Sequence, residues 1–194
     1  MTFKRSILAA IMMFTAIQGA DAASRMLTTG ATSQPIGHAR FCQQFAAECS
    51  VQSQNDKAAR LTKARWSELV EINSYANRTI SPVTDRDYYG VDEHWTYPRE
   101  YGDCEDFALL KRYMLIQRGW SAANLLITVV KQPNGEGHAV LTVRTNKGDF
   151  ILDNLERDIK RWDRTAYRYL KRQSTRHSGA WTGINDRRRQ VASF

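Results

Sequence analysis

Three side chains that could carry out acyl transfer follow one another along the chain: Cys104, His138 and Asp153. Cys104 comes directly after Gly102-Asp103, at the start of a predicted helix. Unpaired N–H groups and the helix dipole stabilise negative charge at that position, and the thiolate is the reactive form of cysteine. We therefore predict that Cys104 is a nucleophile, that His138 is its base and that Asp153 orients the base.

The residues next to Cys104 are acidic, because Asp103, Glu105 and Asp106 surround it. Their negative charge should raise the pKa of the thiol and so oppose its activation. Something must then offset three carboxylates: a histidinium, a bound cation, or both. In a simpler interpretation, these acids only cap the helix and interact with its dipole.

His138 begins one predicted strand and Asp153 ends the next, so a hairpin would bring them to the same end of a sheet. An antiparallel register that pairs Arg144 with Asp149 places His138 opposite residues 154–155. Asp153 is then one or two positions away, within reach of direct or diagonal cross-strand contact. A one-residue change of register would bring the two side chains to the same face.

Each of these residues also has an ordinary interpretation. A lone cysteine is often a small buried hydrophobe, a lone histidine is often a satisfied core or surface residue, and an aspartate at a strand end often forms a turn. The joint pattern is more specific than its parts, since an unpaired cysteine at a helix start precedes a hairpin with His and Asp at matching ends. It favours a cysteine-based acyl-transfer enzyme.

The elements that must position these residues give an α+β plan, with helices first and an antiparallel meander after them. Apolar periodicity predicts two helices, Asp56–Ile80 and Asp103–Arg118, the second ending at Gly119. Residues 84–102 form a long loop and residues 23–39 a loosely packed arm. Strands are predicted at Leu125–Lys131, His138–Arg144, Asp149–Asn154 and, as a possibility, Ala166–Arg172. The tail aromatics, which we expect to pack on the sheet, are Trp162, Tyr167, Tyr169 and Trp181.

The N-terminal 22 residues have the pattern of a secretory signal peptide. Lys4 and Arg5 precede the apolar run 7–17, and Ala20-Asp21-Ala22 fits a small-x-small cleavage site. The run is too short for a membrane span, which takes about 20 residues. We therefore predict a signal peptide at 1–22, a single domain at 23–194, and a protein that is periplasmic or secreted without stable membrane insertion.

The 194-residue chain has a formal net charge of +8, but the charge does not indicate nucleic acid. The basic residues are scattered, apart from Arg187-Arg188-Arg189 near the end, and no nucleic-acid motif is present. Export also argues against such a partner. A solvated basic face is the better interpretation.

The other two cysteines, Cys42 and Cys49, are seven residues apart. In an oxidising compartment the simplest arrangement pairs them and leaves Cys104 free, while the alternative is two small buried thiols. On a continuous helix, seven residues rise about 10.5 Å, which exceeds the roughly 7 Å Cα limit for a disulfide. The pairing therefore predicts a turn or a broken helix between Phe41 and Ser50.

Three motifs, together with the segment that precedes the first of them, make the chain recognisable. Residues 102–108 (GDCEDFA) resemble the GDCEDYA motif of the bacterial transglutaminase-like cysteine proteinases. Residues 137–140 (GHAV) and 151–154 (ILDN) resemble the histidine strand and the LDN segment of that family, and Tyr89-Gly90, Trp95 and Pro98 resemble the segment before its cysteine. The resemblance covers roughly residues 39–173 in pattern.

The resemblance implies a papain/transglutaminase-like fold with a Cys-His-Asp triad, which corresponds to Cys104, His138 and Asp153. Family members of the LapG-like kind are periplasmic, calcium-dependent proteases that cleave a surface adhesin and are held in check by an inner-membrane receptor. A calcium ion at positions equivalent to Asp103 and Glu105 is thereby implied, with further ligands from elsewhere, such as Asp106 or the 84–100 loop.

The short length and the FCQQFAAEC segment (residues 41–49) depart from the adhesin-protease type and look like a compact subgroup. The triad can therefore transfer without the substrate. We predict an exported cysteine peptidase that cleaves an envelope or surface protein. Two alternatives remain: a protein-glutamine transglutaminase or amidase with the same triad, and a non-catalytic module that grips a peptide.

Overall fold

The computed structural model describes residues 24–51, 53–54 and 57–188. The predicted signal peptide lies outside these residues. The helices are α1 (Ile36–Gln44), α2 (Ala46–Cys49), α3 (Lys63–Thr79), α4 (Asp85–Tyr89) and α5 (Cys104–Gln117). The strands are β1 (Thr28–Thr32), β2 (Ser81–Pro82), β3 (Tyr101–Gly102), β4 (Leu125–Lys131), β5 (Gly137–Thr145), β6 (Gly148–Leu152), β7 (Lys160–Arg161), β8 (Arg168–Gln173) and β9 (Trp181–Ile184). Short 3₁₀ turns lie at Ala122–Asn124 and Trp162–Arg164.

Seven of the strands form one sheet in the order β1-β9-β8-β4-β5-β6-β7, and neighbours in it are antiparallel. Strands β2 and β3 pair separately, in parallel. The mixed helix and antiparallel-sheet architecture confirms the α+β prediction. The simple meander was only partly right, because β8 pairs with β4 on the side away from β5.

The β5–β6 hairpin has the predicted register, since Arg144 pairs with Asp149 and Leu141 with Leu152. A one-residue change of register is not needed to bring His138 and Asp153 to one face. Paired residues share a face, and side chains alternate along a strand. Continued by one residue, this register sets Asp153 opposite Val140, on the same face as His138 two residues earlier. The two side chains are therefore diagonal neighbours.

Helix α5 packs against β4 and β5 and is the element that carries Cys104. Its fully buried Leu109 and Leu115 join Ile127 and Leu141 of the sheet in the main hydrophobic cluster. The helix begins at Cys104, and Gly119 follows its last turn with φ +79°, a left-handed conformation that glycine adopts without strain. Both ends agree closely with the predicted helix.

Three other segments differ from the prediction. The arm predicted at 23–39 contains β1 and the start of α1, because β1 pairs with β9 at the sheet edge. The helix predicted from Asp56 begins only at Lys63, where Thr62 caps it by accepting a hydrogen bond from the backbone N–H of Arg65. The long loop at 84–102 contains α4 and ends in β3.

A disulfide joins Cys42 and Cys49, whose Cα atoms are 5.5 Å apart. The helix is broken at Phe45, between α1 and α2, as the distance argument required. Within the described part of the chain, Cys104 is the free cysteine.

Candidate active site

The sulfur of Cys104 lies where the first residue of α5 meets β5. The backbone N–H of Ala139 donates a hydrogen bond to Sγ at 3.3 Å, and the thiol donates to Oε2 of Glu105 at 3.2 Å. Ala139 is the neighbour of His138 in β5. The predicted nucleophile and the predicted base therefore line the same cleft, which has a volume of about 730 Å³.

His138 and Asp153 form a buried pair. Nε2 of His138 lies 2.9 Å from Oδ1 of Asp153, and both side chains are only 3% exposed. The backbone N–H of Leu155 donates to the same carboxylate oxygen at 3.0 Å. Burial alone would raise the pKa of Asp153, but hydrogen bonds from His138, Tyr167 and Leu155 together with the histidine charge hold it below its ordinary value. The carboxylate is thus ionised at neutral pH and can hold the imidazole in one orientation.

The environment of Cys104 opposes thiolate formation. Burial raises the pKa of the thiol well above its ordinary value, and the negative charge of Glu105 raises it further. The hydrogen bond from Ala139 acts in the opposite direction. The concern raised by the acidic sequence around Cys104 is therefore justified: the helix start alone does not make this cysteine a thiolate.

An acidic cluster lies beside Cys104. Carboxylate oxygens of Asp85, Asp103 and Asp106 lie within 4.8 Å of one another. Two buried oxygens, Oδ1 of Asp103 and Oδ2 of Asp106, have no hydrogen-bond partner among the described residues. Burial, then repulsion from Asp103, raises the pKa of Glu105 to about 10; burial and the charges of Asp103 and Asp85 raise the pKa of Asp106 to about 8.

Of the two metal ligands predicted from sequence, Asp103 belongs to this cluster, whereas Glu105 faces the thiol and interacts with Asp103. Asp106 and the 84–100 loop, named as sources of further ligands, supply the other two members. Asp85 is held there because it follows Thr84, the N-cap of α4, and its backbone N–H donates to Asp103 at 3.2 Å. Sequence alone could not single out Asp85 from the other acids of its loop.

Sequence reasoning missed three residues that surround the His138–Asp153 pair. The hydroxyl of Tyr167 donates to Oδ2 of Asp153 at 2.5 Å, and Nδ2 of Asn77 donates to the Asp153 carbonyl at 2.8 Å. Lys111 of α5 is 1% exposed and interacts electrostatically with Asp153. Tyr167 was expected only to pack on the sheet, and no spacing in the sequence links these residues to Asp153.

A free cysteine at a helix start lines one cleft with a histidine of an antiparallel sheet, and that histidine is bonded to a buried aspartate. This arrangement is typical of the papain-like and transglutaminase-like cysteine enzymes. The family model of the bacterial transglutaminase-like cysteine proteinases (BTLCP) matches residues 28–189. The chain belongs to this family, and it is a hydrolase, a transglutaminase-like cysteine peptidase.

Solved structures of LapG from Legionella pneumophila share the fold. One of them aligns over 81% of this chain and 86% of its own length, with 24% sequence identity and a TM-score of 0.53. An EGTA-treated form aligns over 80% of this chain and 81% of its own length, with the same identity of 24% and the same TM-score of 0.53. A calcium-bound form aligns over 55% of this chain at 28% identity and a TM-score of 0.49, and the match spans 64% of that LapG chain. No curated protein matches the chain. Among the described residues, no helix is long and apolar enough to cross a membrane.

Proposed function

We propose that the protein cleaves a peptide bond in a cell-envelope or surface protein through a thioester acyl-enzyme on Cys104. The proposal rests on one observation: two consecutive residues of β5, His138 and Ala139, contact Asp153 and Cys104 respectively. The backbone N–H of Ala139 contacts the sulfur of Cys104, and the side chain of His138 is bonded to Asp153. A cysteine and an imidazole that line one cleft, with a buried carboxylate bonded to that imidazole, are the elements of nucleophilic acyl transfer.

The reaction proceeds in two halves. Nδ1 of His138, the ring nitrogen not bonded to Asp153, takes the proton of Cys104, and the sulfur attacks the substrate carbonyl. Backbone N–H groups at the start of α5 stabilise the oxyanion. The imidazolium then protonates the leaving amine as the C–N bond breaks. A water molecule gives a proton to His138 and attacks the thioester, and Cys104 recovers its proton as the C–S bond breaks.

We propose a calcium ion at the acidic cluster, held by Asp85, Asp103 and Asp106 with Glu105 beside them. The donor set fits, because the ligands are carboxylates, which Ca²⁺ prefers, and two of their buried oxygens lack hydrogen-bond partners in the described structure. When bound, the ion supplies positive charge that offsets the acids and lowers the pKa of the Cys104 thiol.

We further propose that the protein acts in the periplasm or outside the cell after removal of residues 1–22. The Cys42–Cys49 disulfide supports this location, since disulfides persist mainly in oxidising compartments. The partners that we propose are a protein substrate in the cell envelope and an inner-membrane receptor that regulates access to it.

The pH dependence of iodoacetamide alkylation at Cys104, followed by mass spectrometry, tests the mechanism. Wild type is compared with His138→Ala and with a matched control, His177→Ala, each with and without calcium. His177 lies near the disulfide, away from the cleft. We expect alkylation at neutral pH to fall about tenfold or more in His138→Ala, to stay within about twofold in the control, and to accelerate with calcium in the wild type.

If Cys104 does not react with iodoacetamide, or reacts at the same rate in wild type and His138→Ala, the enzyme proposal fails and the peptide-binding alternative takes its place. Hydrolysis and transamidation are distinguished by the product formed from a protein substrate. The peptidase releases a free carboxylate, whereas a transamidase joins an added primary amine to the acyl group.

A further inference from the structure

Tyr167 contacts both members of the buried histidine–aspartate pair. Its hydroxyl donates to Oδ2 of Asp153 at 2.5 Å, while its ring packs against the imidazole of His138 with centroids 5.5 Å apart. Oδ1 of the same carboxylate accepts from His138 and from the backbone of Leu155. Donors on both oxygens fix the rotation of the carboxylate about its terminal bond, and this in turn fixes the direction of the bond to the imidazole.

The segment that carries Tyr167 is held in place by Arg188, the middle residue of the Arg187-Arg188-Arg189 run. Its guanidinium donates to the carbonyl oxygens of Trp162, Thr165 and Tyr167, at 2.8, 3.3 and 2.7 Å. It is itself paired with Asp186 at 2.7 Å. Three carbonyls bound to one planar group leave the segment 162–167 little freedom, so Tyr167 approaches Asp153 from a fixed position.

We propose that Tyr167 is a positioning residue for the reaction, which orients Asp153 and through it the imidazole of His138. The inference rests on the proposed function, because it assigns a role within the same triad. It also gives a role to Arg188, which holds the Tyr167 segment. The phenol remains a donor throughout the working range, since burial and the neighbouring Asp153 charge raise its pKa above the ordinary value.

Two titratable side chains contact Asp153: His138 on β5 and Tyr167 before β8. Three more interact with its charge at longer range: Lys111 on α5, Lys160 on β7 and Tyr169 on β8. Removing the phenol hydroxyl takes one donor from the ionised form, so the pKa of Asp153 must rise. Protonation of Asp153 releases the imidazole. The acid limb of the rate–pH profile should therefore move to higher pH, which a purely structural role for Tyr167 would not cause.

The test compares Tyr167→Phe with Tyr169→Phe. Both changes delete one hydroxyl and keep the ring, but the Tyr169 hydroxyl contacts Thr165 and not the carboxylate. The rate of Cys104 alkylation by iodoacetamide is measured from about pH 3 to pH 9, a range that begins below the ordinary pKa of an aspartate. Thermal unfolding is followed in parallel by circular dichroism. We expect about a tenfold lower rate near neutral pH and an acid limb at higher pH for Tyr167→Phe, and a rate within about twofold with an unmoved limb for Tyr169→Phe.

Arg188→Gln provides a second variant that leaves the phenol and the triad unchanged. Because the segment 162–167 loses its anchor, we expect a smaller fall of about threefold, with the limb moving in the same direction. Equal profiles for the two tyrosine variants, or a loss of melting temperature without a change in profile, would overturn the role of Tyr167. If His138→Ala and Asp153→Asn also leave alkylation unchanged, it is the proposed function that has failed.

Discussion

Replacement of Lys111 by methionine should show how much the burial of this charged side chain lowers the free energy of unfolding. Lys111 lies in α5, is 1% exposed, and places Nζ 5.7 Å from the centre of the Phe107 ring. Burial lowers its pKa from 10.5 to about 7, although the negative charge of Asp153 acts in the opposite direction. At neutral pH and below, the folded protein therefore contains a poorly solvated ammonium group, which methionine would replace with an apolar chain of similar length.

The sign and size of the effect follow from proton linkage. Between about pH 7 and 10.5 the unfolded chain still holds the lysine proton that the folded protein has lost. Stability of the wild type must then rise with pH, by at most about 1.4 kcal/mol per pH unit. Below pH 7 both states are protonated and the full penalty remains. Relative to Lys111→Met, we expect the wild type to gain about 2–5 kcal/mol across this window.

The free energy of unfolding is measured in urea at intervals from about pH 6 to pH 10, a range that covers most of the linkage window. A Cys104→Ser background prevents the free thiol from exchanging with the disulfide at alkaline pH. Lys147→Met serves as the matched control, because Lys147 is exposed in the turn between β5 and β6. The same methionine substitution there should leave the pH dependence of stability unchanged.

The reasoning would be refuted if the difference in unfolding free energy between wild type and Lys111→Met stayed constant from about pH 7 to pH 10, across the predicted window. A constant difference would mean that Lys111 keeps its proton in the folded protein, and that Asp153 outweighs burial. In that case the interaction between Lys111 and Asp153 is an ion pair that stabilises the fold, and the methionine variant would be destabilised at every pH.

Further predictions concern stability. Gly37→Ala should cost about 1–3 kcal/mol in thermal unfolding, because its added methyl group would collide with the Trp95 ring, whereas Gly137→Ala meets no atom within 4 Å and should cost less. Serine at both Cys42 and Cys49 should lower the urea-unfolding free energy by about 2.5 kcal/mol, the chain-entropy value for so short a loop, and a reductant should then have no further effect. Asp149→Ala should lower the urea-unfolding free energy by about 3–5 kcal/mol, because it leaves the buried guanidinium of Arg172 without its ion-pair partner. A decrease below about 1 kcal/mol would contradict that account.

Sequence patterns located the elements that carry the site. Strand β4 has the predicted bounds, α5 begins one residue later than predicted, and the β5–β6 register is the predicted one. These elements have strong local signals: a continuous apolar run, an apolar helical stripe with a glycine stop, and a short turn. These local signals were enough to predict that Cys104 and His138 line the same cleft and that His138 lies beside Asp153.

The remaining features depend on contacts between distant segments. Strand β1 (TTGAT) is fully exposed along its side chains and has no apolar alternation, and it becomes a strand only because β9 lies beside it. Asp85 joins the acidic cluster through the path of a loop, and Tyr167 reaches Asp153 because Arg188 fixes its segment. Local propensity carries no information about such encounters.

The pairing of β1 with β9 constrains the order in which this chain can fold. Thr28 and Ile184 are register partners, so the edge of the sheet cannot close until nearly the whole described sequence has been synthesised. A contact between such distant residues incurs a large loop-closure entropy and forms late. The same proximity should make the protein tolerant of circular permutation, with a short linker joining the end of β9 to the start of β1 and new ends placed in an exposed turn.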